Sequence, residues 1–310
     1  MCKQAELGAL MDALVLESVT KAFDGVCAVE GLSARVPAGC IYGLLGPNGA
    51  GKTTALRMIM SIFRPDEGRI EVLGQRSVRE AKDRVGYMPE ERGLYPHAKV
   101  LEVLVYMGSL KGMAKAEARS CAAEWLERVQ LTEWAERKVQ DLSRGMQQRL
   151  QFVATVLHEP ELVILDEPFA GLDPVNQNTV IEFILQLRAE GRTVLLSTHM
   201  MEQAELLCDR ILLLNEGRKV LDGTLDEVKR EEEASAVAVV LEGETDFIAD
   251  LPMVSDVTPS GKELHITLVQ TDQEQELLKE LIGRVRVRSF RVRTPTLREV
   301  FVNAVSQQNA

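Results

Sequence analysis

The chain has 310 residues, 45% apolar and 27% charged, close to an ordinary globular composition, which excludes wholesale disorder and fibrous repeats. Its 36 Lys and Arg against 47 Asp and Glu leave a net charge of −11, which argues against bulk electrostatic binding to nucleic acid. At roughly 100–200 residues per domain, the length fits one main domain and a smaller one.

Taken in chain order, residues 1–13 match no element and form an N-terminal extension, with Met11 a second candidate start. The N-terminus has no basic region followed by a long apolar core, so no signal peptide is expected. Leu14–Val19 is strand-like, Val26–Val36 alternates weakly, and Pro37-Ala38-Gly39 makes a turn. Ile41–Leu45 is apolar on both faces, the pattern of a buried parallel strand. A glycine-rich turn follows, then a helical stretch over Thr53–Ile62. Val100–Leu110, Lys115–Val129 and Arg144–Leu157 read as helices. Leu162–Leu165 and Thr193–Ser197 are short apolar strands flanking a helix over Val175–Ala189, the alternation of an α/β layer. Lys229–Glu233 reads as a charged linker, and Ala234–Ala310 as a small α+β domain. There, Val285 and Val287 share one strand parity while Phe290 and Val292 share the other, so a β-bulge near Ser289 is expected. No apolar run approaches the ~18 residues of a membrane span. The five cysteines are odd in number and never spaced CxxC. They read as small buried residues of a reducing compartment rather than a disulfide framework or zinc site.

Gly46-Pro47-Asn48-Gly49-Ala50-Gly51-Lys52-Thr53 fits the P-loop pattern between an apolar strand and a helix. Its glycines let backbone N–H groups converge on a phosphate, and the helix that follows points its positive end at the same place. Lys52 is expected to reach the β- and γ-phosphates, and the Thr53 hydroxyl to bind Mg²⁺, with Thr54 next to it in the cradle. Leu162–Asp166 followed by Glu167 is an apolar strand ending in two acids, the Walker B pattern. Asp166 is expected to hold Mg²⁺ and Glu167 to orient a water for in-line attack on the γ-phosphate.

Leu142-Ser143-Arg144-Gly145-Met146 resembles the signature motif of the ATP-binding cassette (ABC) ATPases, usually Leu-Ser-Gly-Gly-Gln. Leu142, Ser143 and Gly145 match, while Arg144 and Met146 depart from it. Ser143 is also a candidate N-cap for the helix that follows. The resemblance covers Leu14 to Val228 and implies a mixed core sheet with helices, an antiparallel β-subdomain and a helical signature subdomain. Phe23 fits the aromatic that stacks on adenine, Ala170–Asp173 the D-loop, and His199 the switch histidine. His97, His158 and His265 read as ordinary histidines. Glu90, in Pro89-Glu90-Glu91-Arg92-Gly93-Leu94-Tyr95, stands where the family usually has a glutamine near the metal. That stretch and the tail Pro295–Phe301 look like ATPase subunits of bacterial and archaeal exporters whose permease is a separate chain, the sodium- and drug-efflux group.

The resemblance implies an ATP- and Mg²⁺-dependent ATPase. Two cassettes, in a homodimer or heterodimer, close over two nucleotides. In each site, Lys52 and Thr53 of one subunit face Ser143, Arg144, Gly145 and Met146 of the other, with Asp173 near the partner's P-loop. Catalysis is assigned to Glu167, His199 and Lys52. A cytoplasmic chain held to the inner face of the membrane by its permease is expected, with Val100–Leu110 and its flanks as the docking surface and the C-terminal domain stabilising the dimer. The alternative is an ABC-type ATPase acting on nucleic acid or the ribosome, and its best support is the row Arg284, Arg286, Arg288, Arg291, Arg293. A solvated strand face paired with acids such as Glu274 and Glu276 accounts for that row more simply, and no nucleic-acid partner is expected.

Overall fold

Short apolar strands alternating with helices bury two faces of a sheet at once, and that pattern runs through the first two thirds of this chain. The structure is a computed structural model that describes residues 12–91, 93–231, 236–270, 273–293 and 295–308. It divides into two compact units, residues 1–225 and 226–310. The readings of residues 1–11 with the start at Met11, of Arg92, and of Glu232 and Glu233 in the linker fall outside the described residues.

The first unit carries two sheets. The smaller is antiparallel, with β1 (Asp12–Phe23) between β2 (Val26–Pro37) and β4 (Glu67–Val72). The larger is built from β3 (Ile41–Leu45), β5 (Val85–Met88), β6 (Leu162–Asp166), β7 (Thr193–Thr198), β8 (Arg210–Asn215) and β9 (Arg218–Thr224). Its order is β5-β6-β7-β3-β8-β9, parallel throughout except for β8 against β9. Every residue of β3, β6 and β7 is buried, as expected of strands covered on both faces. The register is level: Met88 pairs with Leu165, Asp166 with Ser197 and Leu45 with Thr198. The C-terminal ends of β5, β6, β7 and β3 therefore open on one edge of the sheet.

Among the described residues six helices accompany these strands: α1 (Lys52–Ile59), α2 (Val100–Leu110), α3 (Lys115–Arg128), α4 (Arg144–Val156), α5 (Pro174–Ala189) and α6 (Met201–Leu207); α7 (Leu225–Glu231) begins at the last residue of this unit and belongs to the second. Trp125 of α3, Phe152 of α4 and Phe183 of α5 pack together, with ring centroids 5.4 to 6.4 Å apart. Helix α2 is mostly internal, with Val100, Leu101, Val103, Leu104 and Val105 buried. The exposed apolar surface of this region is Tyr95, Tyr106 and Leu110, with the two tyrosine rings edge to face at 5.6 Å.

The second unit is an antiparallel sheet of β10 (Ala236–Glu242), β11 (Val254–Ser260), β12 (Glu263–Leu268) and β13 (Arg286–Arg293), in the order β11-β12-β10-β13. It carries α8 (Glu274–Arg284) and α9 (Leu297–Gln308). Val237, Val239, Ile266, Leu277 and Leu281 form its core. Val240 pairs with Ser289 but Leu241 with Val287, so Arg288 is the extra residue of a bulge. The bulge lets Val287 and Phe290 pack against the same core, whereas Val292 stays 60% exposed. The arginine row is ion-paired, but not to Glu274 or Glu276. Arg286 and Arg288 meet Glu242, Arg291 meets Glu263, Arg293 meets Glu299, and Arg284 meets Glu280. Glu242 lies on β10, the strand paired with β13, Glu263 reaches from β12 beyond it, and Glu280 and Glu299 come from α8 and α9. Lys229–Glu231, read as linker, ends α7.

His158, just beyond α4, points its Nε2 at the Val85 carbonyl oxygen 3.3 Å away, while its Nδ1 is buried without a partner. A carbonyl only accepts, so the proton sits on Nε2, and a second proton on Nδ1 has no acceptor. Burial, with Lys111 nearby, pushes the imidazole down to about 4. A folded-state pKa below the unfolded one makes the histidine's contribution present above about 6.5 and lost as pH falls through about 4. We predict that between these values wild-type stability falls more steeply than that of His158→Gln, by about 1–2 kcal/mol after allowing for solvent screening. Urea melts of both chains at pH 7 and pH 4.5 check this.

Candidate ATP-binding site

Four parallel strands deliver the predicted residues to one edge. The turn after β3 is residues 46–51, leading into α1. Gly46 has φ 151° and Gly51 φ 101°, and a Cβ on either would sit 2.3 Å from the Leu214 carbonyl oxygen or 2.4 Å from that of Ala28. Only glycine fits these two positions. No side chain caps α1, and its first turn holds no acid, so its N-terminal N–H groups face outward as an anion cradle. Asn48, Gly49, Ala50, Gly51, Lys52, Thr53 and Thr54 line a cleft of about 280 Å³ together with Ala28, Glu90 and Glu167.

The Lys52 ammonium donates to the carbonyl oxygens of Gly46 at 2.8 Å and Pro47 at 3.1 Å, and lies 3.3 Å from Glu167 Oε1. Glu167, the residue after β6, has φ 49°, a left-handed conformation that non-glycine residues rarely hold without surrounding constraint. Its N–H donates to Ser197 Oγ at 3.0 Å. Its carboxylate is 8% exposed, with His199 Nδ1 3.0 Å from Oε2. Apart from the ion pair with Lys52, Oε1 has no hydrogen-bond partner among the described residues.

Asp166 closes β6. Its Oδ1 accepts from Ser197 Oγ at 2.6 Å and lies 3.4 Å from Thr53 Oγ1. Burial raises its pKa, with the charges of Glu90 and Glu167 adding to the rise against the Ser197 hydrogen bond. A hydroxyl and acidic oxygens held together at such a penalty suit a hard divalent cation, which would relieve both burial and repulsion. The donor set of Thr53, Asp166 and Glu90 therefore fits Mg²⁺.

Other predicted residues are not among those lining the cleft. Phe23 does not line it. That ring is 39% exposed and meets Phe63 edge to face at 5.2 Å, with the Lys21 ammonium 5.4 Å from its centroid. Ser143 caps α4, accepting from the Met146 N–H at 3.3 Å. Ser143 and Arg144 are exposed, Gly145 and Met146 half-buried, and none of the four lines the cleft. Gly145 lies against Asn176, which a Cβ there would approach to 2.8 Å. Asp173 caps α5 through the N–H groups of Val175 and Asn176 and takes a further bond from the Asn176 amide at 2.6 Å.

Three residues of the site escaped the sequence reading. Ser197 ties Asp166 to the Glu167 backbone, and its only signal is a polar residue inside an apolar strand. Gln148 donates to the Pro168 carbonyl, and Gln151 to those of Pro89 and Glu91. Both are buried on α4, and they tie this helix to the segments after β6 and β5.

The fold and site together define a P-loop ATPase cassette. Comparison with known proteins agrees: residues 29–170 match the family described as ABC transporter, and residues 223–305 match the C-terminal domain described as ATP-binding protein DrrA1-3-like. The chain is 39% identical over 292 residues to the uncharacterized ABC transporter ATP-binding protein YhaQ of Bacillus subtilis, covering 94% of this chain and 98% of that protein. It is 36% identical to the linearmycin resistance ATP-binding protein LnrL of Bacillus subtilis, covering 94% and 97%. It is 35% identical to the daunorubicin resistance ATP-binding protein DrrA3 of Streptomyces coeruleorubidus, covering 94% and 95%. A solved ATP-binding subunit of an ABC transporter superposes with a TM-score of 0.66 at 30% identity, covering 71% of this chain and 93% of that one. This chain belongs to the ABC transporter ATP-binding proteins and is the ATPase subunit of such a transporter.

Because Gly51 has both φ 101° and a carbonyl oxygen where a Cβ would stand, Gly51→Ala is expected to destabilise the chain by about 1–3 kcal/mol. It should also weaken nucleotide binding by distorting the cradle. Chemical denaturation and ATP titration of the same variant check the two effects.

Proposed function

We propose that the chain powers export through a separate transmembrane permease by closing head to tail on a second cassette, identical or related, over two Mg²⁺·ATP. The observation that carries this reading is the Glu167 carboxylate, held between Lys52 and His199 at the mouth of the P-loop. ATP brings its phosphates to the N-terminus of α1, where Lys52 exchanges the carbonyls of Gly46 and Pro47 for β- and γ-phosphate oxygens. Thr53 and Asp166, with Glu90 beside them, would hold Mg²⁺, which when bound would neutralise charge on those phosphates. As Lys52 turns to the phosphates, Glu167 Oε1 is left to accept a hydrogen bond from water and aim it for in-line attack. His199 steadies Oε2 and senses closure. Ser143, Arg144, Gly145 and Met146 meet the γ-phosphate bound by the partner, Asp173 meets its P-loop, and Phe23 stacks on adenine. Closure excludes water and strengthens the clamp on the γ-phosphate.

Export is supported by a relative 36% identical over 273 residues, the Nod factor export ATP-binding protein I of Paraburkholderia xenovorans, beside the resistance proteins LnrL and DrrA3. A permease in another chain is supported by the absence, among the described residues, of any helix long and apolar enough to cross a membrane. With it, the subunit works at the inner face of the membrane, docked through the surface around Tyr95, Tyr106 and Leu110. The second unit, whose arginine row is occupied by acids and so poorly suited to nucleic acid, stabilises the paired cassettes.

Glu167→Gln keeps the shape of the side chain and removes the charge that polarises water. ATP turnover is expected to fall more than about tenfold, at least ~1.4 kcal/mol of barrier, while ATP-dependent dimers accumulate on a sizing column. Unchanged turnover would overturn the role of Glu167. Removal of residues 234–310 is expected to weaken dimerisation, measured by sedimentation with ATP; unaltered association would refute the role given to the second unit.

A further inference from the structure

A larger cleft lies away from the P-loop, within the first unit. It encloses about 590 Å³ between the C-terminal end of α1, strand β4 and residues 76–79. Four arginines line it: Arg64, Arg69, Arg76 and Arg79. Arg69 is shared with Glu17, which accepts from its Nε and its terminal nitrogen at 2.5 and 2.9 Å. The side chains of Arg64, Arg76 and Arg79 have no hydrogen-bond or ion-pair partner among the described residues. The only acid lining the cleft is Glu71.

This convergence is unexpected on electrostatic grounds. The chain carries 11 more acids than bases, and acids are within reach of several first-unit arginines, as Asp12 of Arg35, Glu161 of Arg84 and Asp209 of Arg188; here four arginines line one cleft and only Arg69 has an acid. Like charges gathered around one concavity repel each other, and low-dielectric walls focus their field into it. An anion relieves that repulsion.

The geometry points to a binding site for an organic phosphate that carries two or more negative charges on a phosphomonoester or diphosphate and an apolar or aryl portion. The guanidinium forks match phosphate oxygens two at a time. Ser61 and Ser77, whose hydroxyls are 3.3 Å apart, supply neutral donors at the same wall. The floor is apolar, made by Met58, Ile59 and Phe63, and gives the organic part a surface to cover. A phosphodiester, with one charge, leaves most of the guanidinium charge uncompensated, so the monoester is preferred.

The test is calorimetric titration of the full chain carrying Lys52→Ala, which weakens phosphate binding at the P-loop, with 1-naphthyl phosphate as probe and arginine variants to assign the site. Saturable binding of one molecule per chain is expected, with affinity about tenfold or more above that for methyl 1-naphthyl phosphate. Replacing Arg64, Arg76 and Arg79 together by Gln should weaken the monoester about tenfold or more. These side chains are exposed, and the two single variants Arg64→Gln and Arg79→Gln, each expected to weaken binding, serve if the triple variant does not fold. No binding to the Lys52→Ala chain, equal affinity for monoester and diester, or binding indifferent to the arginines overturns the proposal.

Discussion

The site depends on one buried carboxylate in a constrained turn. Glu167 leaves β6 in the left-handed region, its N–H fixed by Ser197, and this turns its side chain inward between Lys52 and His199. Placing a glutamate there is unfavourable in two ways, through backbone conformation and through desolvation. The ammonium of Lys52 offsets the charge, and the level register of β6 against β7 offsets the geometry by putting Ser197 directly beside Asp166. The P-loop, the strand-end acids and the histidine form a single electrostatic unit in which each member explains the placement of the next.

That unit exists because four strands run parallel and end together. A parallel sheet places the segments after its strands on one edge, where side chains from distant stretches of chain converge. Lys52, Glu90, Glu167 and His199 follow β3, β5, β6 and β7 respectively. The same edge is reached from the helical side by Gln148 and Gln151, which connect α4 to the segments after β6 and β5. A change at Glu90 or Pro168 is thereby linked mechanically to the helix that Ser143 caps, and Gly145 and Asn176 continue the link to the start of α5.

Much of the chain was legible from residues alone because its signals are local. Apolar runs of strand length identified β3, β6 and β7, and uninterrupted helical periodicity identified α2 to its end residues. The parity break at Val287 and Phe290 located the bulge within one residue, since only an inserted residue lets both face one core. Readings that needed a neighbour from elsewhere in the chain fared worse. Exposure along α2 is uneven because α3 and α4 pack against one side of it and leave Tyr106 and Leu110 outside. The acids facing the arginine row differ from Glu274 and Glu276 because sheet order brings Glu242 of the paired strand and Glu263 of the next strand within reach, and sequence distance does not.

The sequence by itself determined which residues could be brought together: the glycine spacing and Lys52 of a phosphate cradle, the adjacent acids Asp166 and Glu167 at the end of an apolar strand, and a two-part chain. Those are properties of residue type and short-range spacing. Only the tertiary structure decided the strand order that sets His199 against Glu167, the placement of Ser197 between the two acids, the contact of Phe23 with Phe63, and the gathering of Arg64, Arg69, Arg76 and Arg79 around a second cleft. Each is a contact between segments whose meeting depends on how the sheets are ordered, and strand order leaves no trace in local composition.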